Sequence, residues 1–133
     1  MTRYHRLLDI KNQNAYLDSV CNYASDNFPK ARLIGFGFSQ GGATIARWAD
    51  HNPESADELI LWGCKFPPDL EDEELQNYRE DKPVKIFIGD QDEFFPPEEI
   101  SRLKEKFSGL KNLEWINYSG EHKIYPEILS SLM

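Results

Sequence analysis

The chain has 133 residues, 40% hydrophobic and 13% aromatic, which is enough apolar material for the core of one domain. Its 23 Asp and Glu outnumber 15 Lys and Arg, for a formal net charge of -8, which argues against nucleic acid or an anionic membrane surface as partner, since either would require a basic face. No apolar run approaches the roughly 18 residues of a membrane span, the start from Met1 to Arg6 has no apolar signal segment, and Cys21 with Cys64 makes neither a disulfide framework nor a zinc ligand set; a cytoplasmic protein with two reduced, packed thiols is expected.

In chain order, apolar residues recur every three or four positions at Leu7, Ile10, Leu17, Val20, Cys21, Ala24 and Phe28, which predicts an amphipathic helix from Arg6 to about Asp26, ended by Pro29. Ala31 to Phe36 reads as a buried strand bounded by glycine. A helix of small apolar residues follows over Ala43 to Ala49, then a second strand over Glu58 to Trp62, stopped by Gly63. The acidic segment from Pro67 to Glu80 holds a predicted helix from Glu71 to Tyr78, and its run from Asp69 to Glu74 suits a solvated helix N-terminus. Val84 to Gly89 is the clearest strand, Pro97 to Phe107 a helix with Ile100, Leu103 and Phe107 on one face, Leu113 to Tyr118 a fourth strand, and Tyr125 to Leu132 a closing helix. Strands alternating with helix-length segments predict an α/β fold: a parallel sheet of about four strands with helices on both faces. No linker or repeat divides the chain, so residues 1–133 read as a single domain.

The chemistry falls where strands become helices. Gly37-Phe38-Ser39-Gln40-Gly41 is a G-x-S-x-G that follows a predicted strand and opens a predicted helix, the setting of a nucleophile elbow. Glycines on either side of the serine leave room for the cramped turn, and the hydroxyl projects beyond the carboxyl end of the strand, where open parallel sheets bind ligands. A nucleophilic serine needs a base and a group that orients it, and in this topology they come later, acid then histidine. Gly89-Asp90-Gln91-Asp92 follows the third strand and Ser119-Gly120-Glu121-His122 the fourth. His122 is the candidate general base, and Asp90 or Asp92 the carboxylate that holds its tautomer.

At these residues the sequence resembles the α/β-hydrolases. Gly35-Phe36-Gly37-Phe38-Ser39-Gln40-Gly41-Gly42 is similar to the phospholipase/carboxylesterase branch that includes the acyl-protein thioesterases, and the likeness extends through Gly63, Pro67, Gly-Asp-x-Asp and the late Gly-x-His. The resemblance implies a serine hydrolase of carboxylic esters or thioesters, with Ser39 as nucleophile, His122 as base, Asp92 rather than Asp90 as acid, the Gln40 N–H as an oxyanion donor, and no cofactor or metal. Phe38, Phe66, Phe94 and Phe95 fall beside this site and would line an acyl pocket. Two features depart from the branch. Glu93-Phe94-Phe95-Pro96 stands where a proline and small aliphatics are usual, and the upstream strands, with the HG-type loop that gives a second oxyanion donor, have no counterpart, so the domain reads as N-terminally truncated. The alternative is a weakly active or non-catalytic hydrolase-fold domain that needs a partner chain.

Partner expectations come from the sheet. If the strands lie in sequence order, the intervening helices share one face and only the helix after Tyr125 covers the other. Four strands span roughly 19 Å at about 4.8 Å each, against about 10–12 Å for one helix. About half of that face should stay bare and the first strand should be an open edge, which predicts a homodimer or association with a separate N-terminal fragment.

Overall fold

The computed structural model describes residues 2–67 and 82–131. The expected helix from Glu71 to Tyr78, the acidic run from Asp69 to Glu74 and the last residues of the closing helix lie outside them. The described elements are α1 (Arg3–Asn27), β1 (Ile34–Phe38), α2 (Gln40–His51), β2 (Glu58–Trp62), β3 (Val84–Gly89), α3 (Pro97–Lys106), β4 (Leu113–Tyr118) and α4 (Pro126–Ser130).

All four strands are parallel and lie in sequence order, β1-β2-β3-β4. β2, β3 and β4 run where the apolar patterning places them. β1 begins three residues later than expected. Ala31 N donates to Phe28 O, and Leu33 exchanges hydrogen bonds with Asp57 through its N–H and its carbonyl, so residues 31–33 are used in a turn and the ladder starts only at Ile34 opposite Glu58.

Alternation along the strands divides the interior into two layers. On one face Leu59, Leu61, Val84, Ile86 and Ile88 pack with Ala46 and Ala49 of α2, Leu103 of α3 and Phe107. Both described crossover helices, α2 and α3, therefore cover the same face, as sequential parallel crossovers require. On the other face Ile60, Trp62, Phe87 and Tyr118 pack with Tyr125, Ile128 and Leu129 at α4. Broad rings fill the layer: Trp62 and Phe87 stack with centroids 4.8 Å apart, and Trp62 Nε1 donates to Lys123 O at 2.9 Å. Toward the amino ends of the strands the cover is polar, because buried Glu58 ion-pairs with Arg32 at 2.6 Å and Lys85 at 2.9 Å. Phe36, on edge strand β1, is left 37% exposed.

The amphipathic reading of α1 holds for only part of its stripe. Leu17 and Cys21 pack against Trp48 and Ala56, and Asp18 accepts hydrogen bonds from Trp48 Nε1 at 3.0 Å and Asn52 Nδ2 at 2.9 Å. Leu7 and Phe28, expected on the same buried face, are 51% and 61% exposed. Among the described elements α1 rests on α2, and one neighbouring helix is too narrow to cover a stripe of that width. Cys21 and Cys64 are both buried and free.

Candidate active site

The turn from β1 into α2 is tight and strained. Ser39 sits between Phe38, the last residue of β1, and Gln40, the first of α2, with φ 55° and ψ -122°, a conformation that costs a non-glycine residue about 1–3 kcal/mol. Its N–H donates to Trp62 O at 2.9 Å, tying the turn to the end of β2. A β-carbon at Gly37 would run into the backbone of Gly41 and Gly42, and one at Gly42 would overlap Cys64 Sγ. Gly41, by contrast, has nothing within 4 Å of where its β-carbon would be. The expectation that the motif's second glycine makes room for the turn is corrected: Gly42, one residue on, is the one under constraint.

Ser39 occupies the N-cap of α2, where a serine side chain ordinarily accepts from the helix N–H groups. It makes no such bond. Its Oγ instead lies 3.1 Å from His122 Nε2, and His122 Nδ1 lies 2.7 Å from Asp92 Oδ2. The Asp92 carboxylate is fully buried, and its other oxygen accepts from Phe94 N at 3.0 Å. A carboxylate at Nδ1 fixes the proton there, which leaves the Nε2 lone pair facing the serine hydroxyl. The three side chains come from the ends of β1, β3 and β4. Asp90 is placed differently: its Oδ1 accepts from Gly120 N at 2.9 Å, on the loop that carries His122.

The imidazole is confined on several sides. Phe94 lies 4.7 Å and Phe38 5.0 Å from its centroid. A β-carbon at Gly63 would come within 3.0 Å of His122 Cε1, and Gly63 has φ +62°. Gly63, expected as the stop of the second strand and as part of the family likeness, is thus also a wall of the histidine's seat, a role with no local signal in the sequence.

A cleft of about 340 Å³ opens on Ser39 and His122 and is walled by Phe66, Phe94, Phe95 and Pro67. Phe38 is not among its lining residues; it packs in the second core layer, because it alternates onto that face of β1. Gln40 heads α2, so its N–H is one of the four without an intrahelical acceptor. Lys65 also lines the cleft, and Glu99 holds it at 2.9 Å; neither was anticipated, since the pair joins residues 34 positions apart. Burial pushes the Cys64 thiol, on the cleft wall, up to about 12. Among the described residues no three His, Cys, Asp or Glu side chains gather as a metal site would need, and no helix is long and apolar enough to cross a membrane.

Residues 7–127 match the sequence profile of a family described as serine hydrolase (FSH1). No curated protein sequence matches the chain. Among solved structures it is similar to acyl-protein thioesterase 2 of Zea mays, with 17% identity and a TM-score of 0.67 over 93% of this chain and 63% of that one. A predicted CIB-like hydrolase of Thermoplasma acidophilum aligns with 19% identity and a TM-score of 0.66 over 92% of this chain and 56% of that one. The monoacylglycerol lipase of Paleococcus ferrophilus aligns with 16% identity and a TM-score of 0.62 over 92% and 73%. The chain thus spans 63% of the maize structure and 56% of the Thermoplasma one, and these likenesses establish the α/β-hydrolase fold.

Proposed function

Because the chain belongs to the serine hydrolase (FSH1) family, we propose that it cleaves carboxylic ester or thioester bonds through a Ser39–His122–Asp92 triad and a covalent acyl-enzyme. The observation that carries this reading is the unbroken chain from buried Asp92 through His122 to a Ser39 hydroxyl that forgoes its helix cap. Ser39 Oγ bonds to the carbonyl carbon as its proton passes to His122 Nε2. The bond to the leaving oxygen or sulfur breaks as Nε2 returns that proton to it, and water repeats the sequence to free the acid. The Gln40 N–H supports the oxyanion, a donor of a kind whose loss costs about 10²–10³ in rate. Phe66, Phe94 and Phe95 favour an apolar group beside the carbonyl.

Labelling with a fluorophosphonate tests the reading. The wild-type chain should be modified rapidly at Ser39, and Ser39→Ala and His122→Ala should not be labelled. Labelling no faster than that of a surface serine overturns it.

One observation favours a second reading, a domain that works only with a partner chain: among the described residues β1 is a sheet edge with Phe36 exposed on it, and an open edge invites another strand. Sedimentation equilibrium combined with labelling separates the two, since a monomer that is labelled at full rate needs no partner.

A further inference from the structure

His122 stands on the loop from Ser119 to Ile124, between the end of β4 and the Tyr125 that caps α4. The backbone of that loop is held on both sides of the histidine. Gly120 bonds to the acid loop through both of its polar groups, its N–H donating to Asp90 Oδ1 at 2.9 Å and its carbonyl accepting from Gln91 N at 2.8 Å. Glu121, the residue directly before the histidine, is held by two tyrosines. Its N–H donates to Tyr125 Oη at 2.9 Å, and its carbonyl accepts from Tyr118 Oη at 2.9 Å. After the histidine, Lys123 O accepts from Trp62 Nε1 at 2.9 Å, and Tyr118 Oη lies 3.3 Å from the same carbonyl.

Glu121 and Lys123 are exposed, so water could satisfy their backbone groups without these side chains. What the aromatic partners add is placement, because they are themselves anchored. Trp62 and Tyr118 are buried with ring centroids 5.1 Å apart, and Tyr118 lies 5.2 Å from Tyr125. Room for Tyr125 depends on Gly120, where a β-carbon would run into the tyrosine hydroxyl. Burial raises the Tyr118 phenol above its ordinary 10, so the hydroxyl keeps its proton wherever a histidine can act as base. We propose that Tyr118 and Tyr125 are positioning residues: their hydroxyls fix the Glu121 backbone and thereby hold His122 between Asp92 and Ser39. Neither tyrosine lines the cleft, so both act through the histidine and not on the substrate. This rests on the triad reading, which gives the alignment its use. The rings belong to the core layer and the hydroxyls to the site, so the two roles can be separated by one atom.

Tyr118→Phe and Tyr125→Phe delete the hydroxyls and keep the rings. In each, kcat on a p-nitrophenyl ester and the rate of fluorophosphonate labelling at Ser39 should fall about ten- to a hundredfold, since a misplacement of about 1 Å costs up to about 10² in rate. KM should stay within about twofold, because the cleft is untouched. Ile116→Ala, which thins the same core layer from the same face of β4, should lower the thermal midpoint through lost packing and leave labelling of the folded chain unchanged. A further readout needs no turnover. The His122 Nδ1 proton, in a short bond to a buried carboxylate, should give a separate downfield NMR resonance, and both Phe variants should broaden it or move it upfield. Wild-type labelling with that resonance in place in both Phe variants overturns the inference. So does a loss of labelling in Ile116→Ala equal to theirs, which would make the effect one of core stability. If the wild-type chain is neither labelled nor hydrolytic, the triad reading fails, and the resonance still decides whether the tyrosines hold His122 to Asp92.

Discussion

The Asp90 carboxylate accepts a 2.9 Å hydrogen bond from the Gly120 backbone N–H, while Asp92, two residues on, reaches His122 Nδ1 at 2.7 Å. Neighbouring carboxylates on one loop thus hold the backbone and the imidazole of the next. Asp92→Asn should lower kcat by several powers of ten, because an amide at this position favours the wrong imidazole tautomer. Asp90→Asn retains an acceptor oxygen for Gly120 and should cost less than tenfold. Steady-state rates on a p-nitrophenyl ester compare the two, and the opposite ranking would move the acid's role to Asp90.

The His122 side chain stands at the cleft, 21% exposed. His122→Ala is expected to abolish ester hydrolysis and to leave the thermal midpoint within a few degrees of wild type. Wild-type hydrolysis in this variant would remove His122 from the mechanism.

The glycines around Ser39 separate by the space at each. Gly37→Ala places a methyl group against backbone atoms of Gly41 and Gly42 that cannot rotate away, so loss of folded protein or of nearly all activity is expected. Gly41→Ala meets nothing within 4 Å and lies inside α2, where alanine is favoured over glycine by about 0.5–1 kcal/mol. Chemical denaturation should therefore show Gly41→Ala to be as stable as wild type or more so, despite its place in the motif.

Hydrogen bonds from Arg102 and then Lys65 hold the Glu99 carboxyl at about 2, below its ordinary 4.5. A carboxylate with a depressed folded-state pKa contributes its stability in full above the unfolded value and loses it as pH falls through the folded one. The melting temperature should drop between pH 4.5 and about 2, and Glu99→Gln should flatten that part of the curve while leaving its shape near neutrality unchanged. An identical acid limb in both proteins would show that the pair is not coupled to folding.

Although Cys64 lines the cleft, burial raises its thiol to about 12, and the reactive species is the thiolate. Iodoacetamide at pH 8 should leave Cys64 unmodified in the folded chain and alkylate it after denaturation. Rapid native-state alkylation would show the wall of the cleft to be more open than its burial implies.

How much of this was legible in the chain itself depends on the range of the forces concerned. The apolar runs at Leu59–Trp62 and Val84–Ile88, cut off by Gly63 and Gly89, specify strands locally, because a parallel strand is buried on both faces and carries its own pattern. Gly37-Phe38-Ser39-Gln40-Gly41 is equally local, since strand, turn and helix follow within a few residues. Tertiary structure decided whatever rests on residues remote in sequence. It brings Ser39 to a histidine 83 positions away, parts Asp92 from Asp90, turns Phe38 into a core layer, and makes Gly42 rather than Gly41 the constrained glycine because Cys64 arrives from the next strand. The margins of α1 stay uncovered for the same reason: periodicity determines which face of a helix is apolar, and only the packed neighbours determine how much of that face is buried.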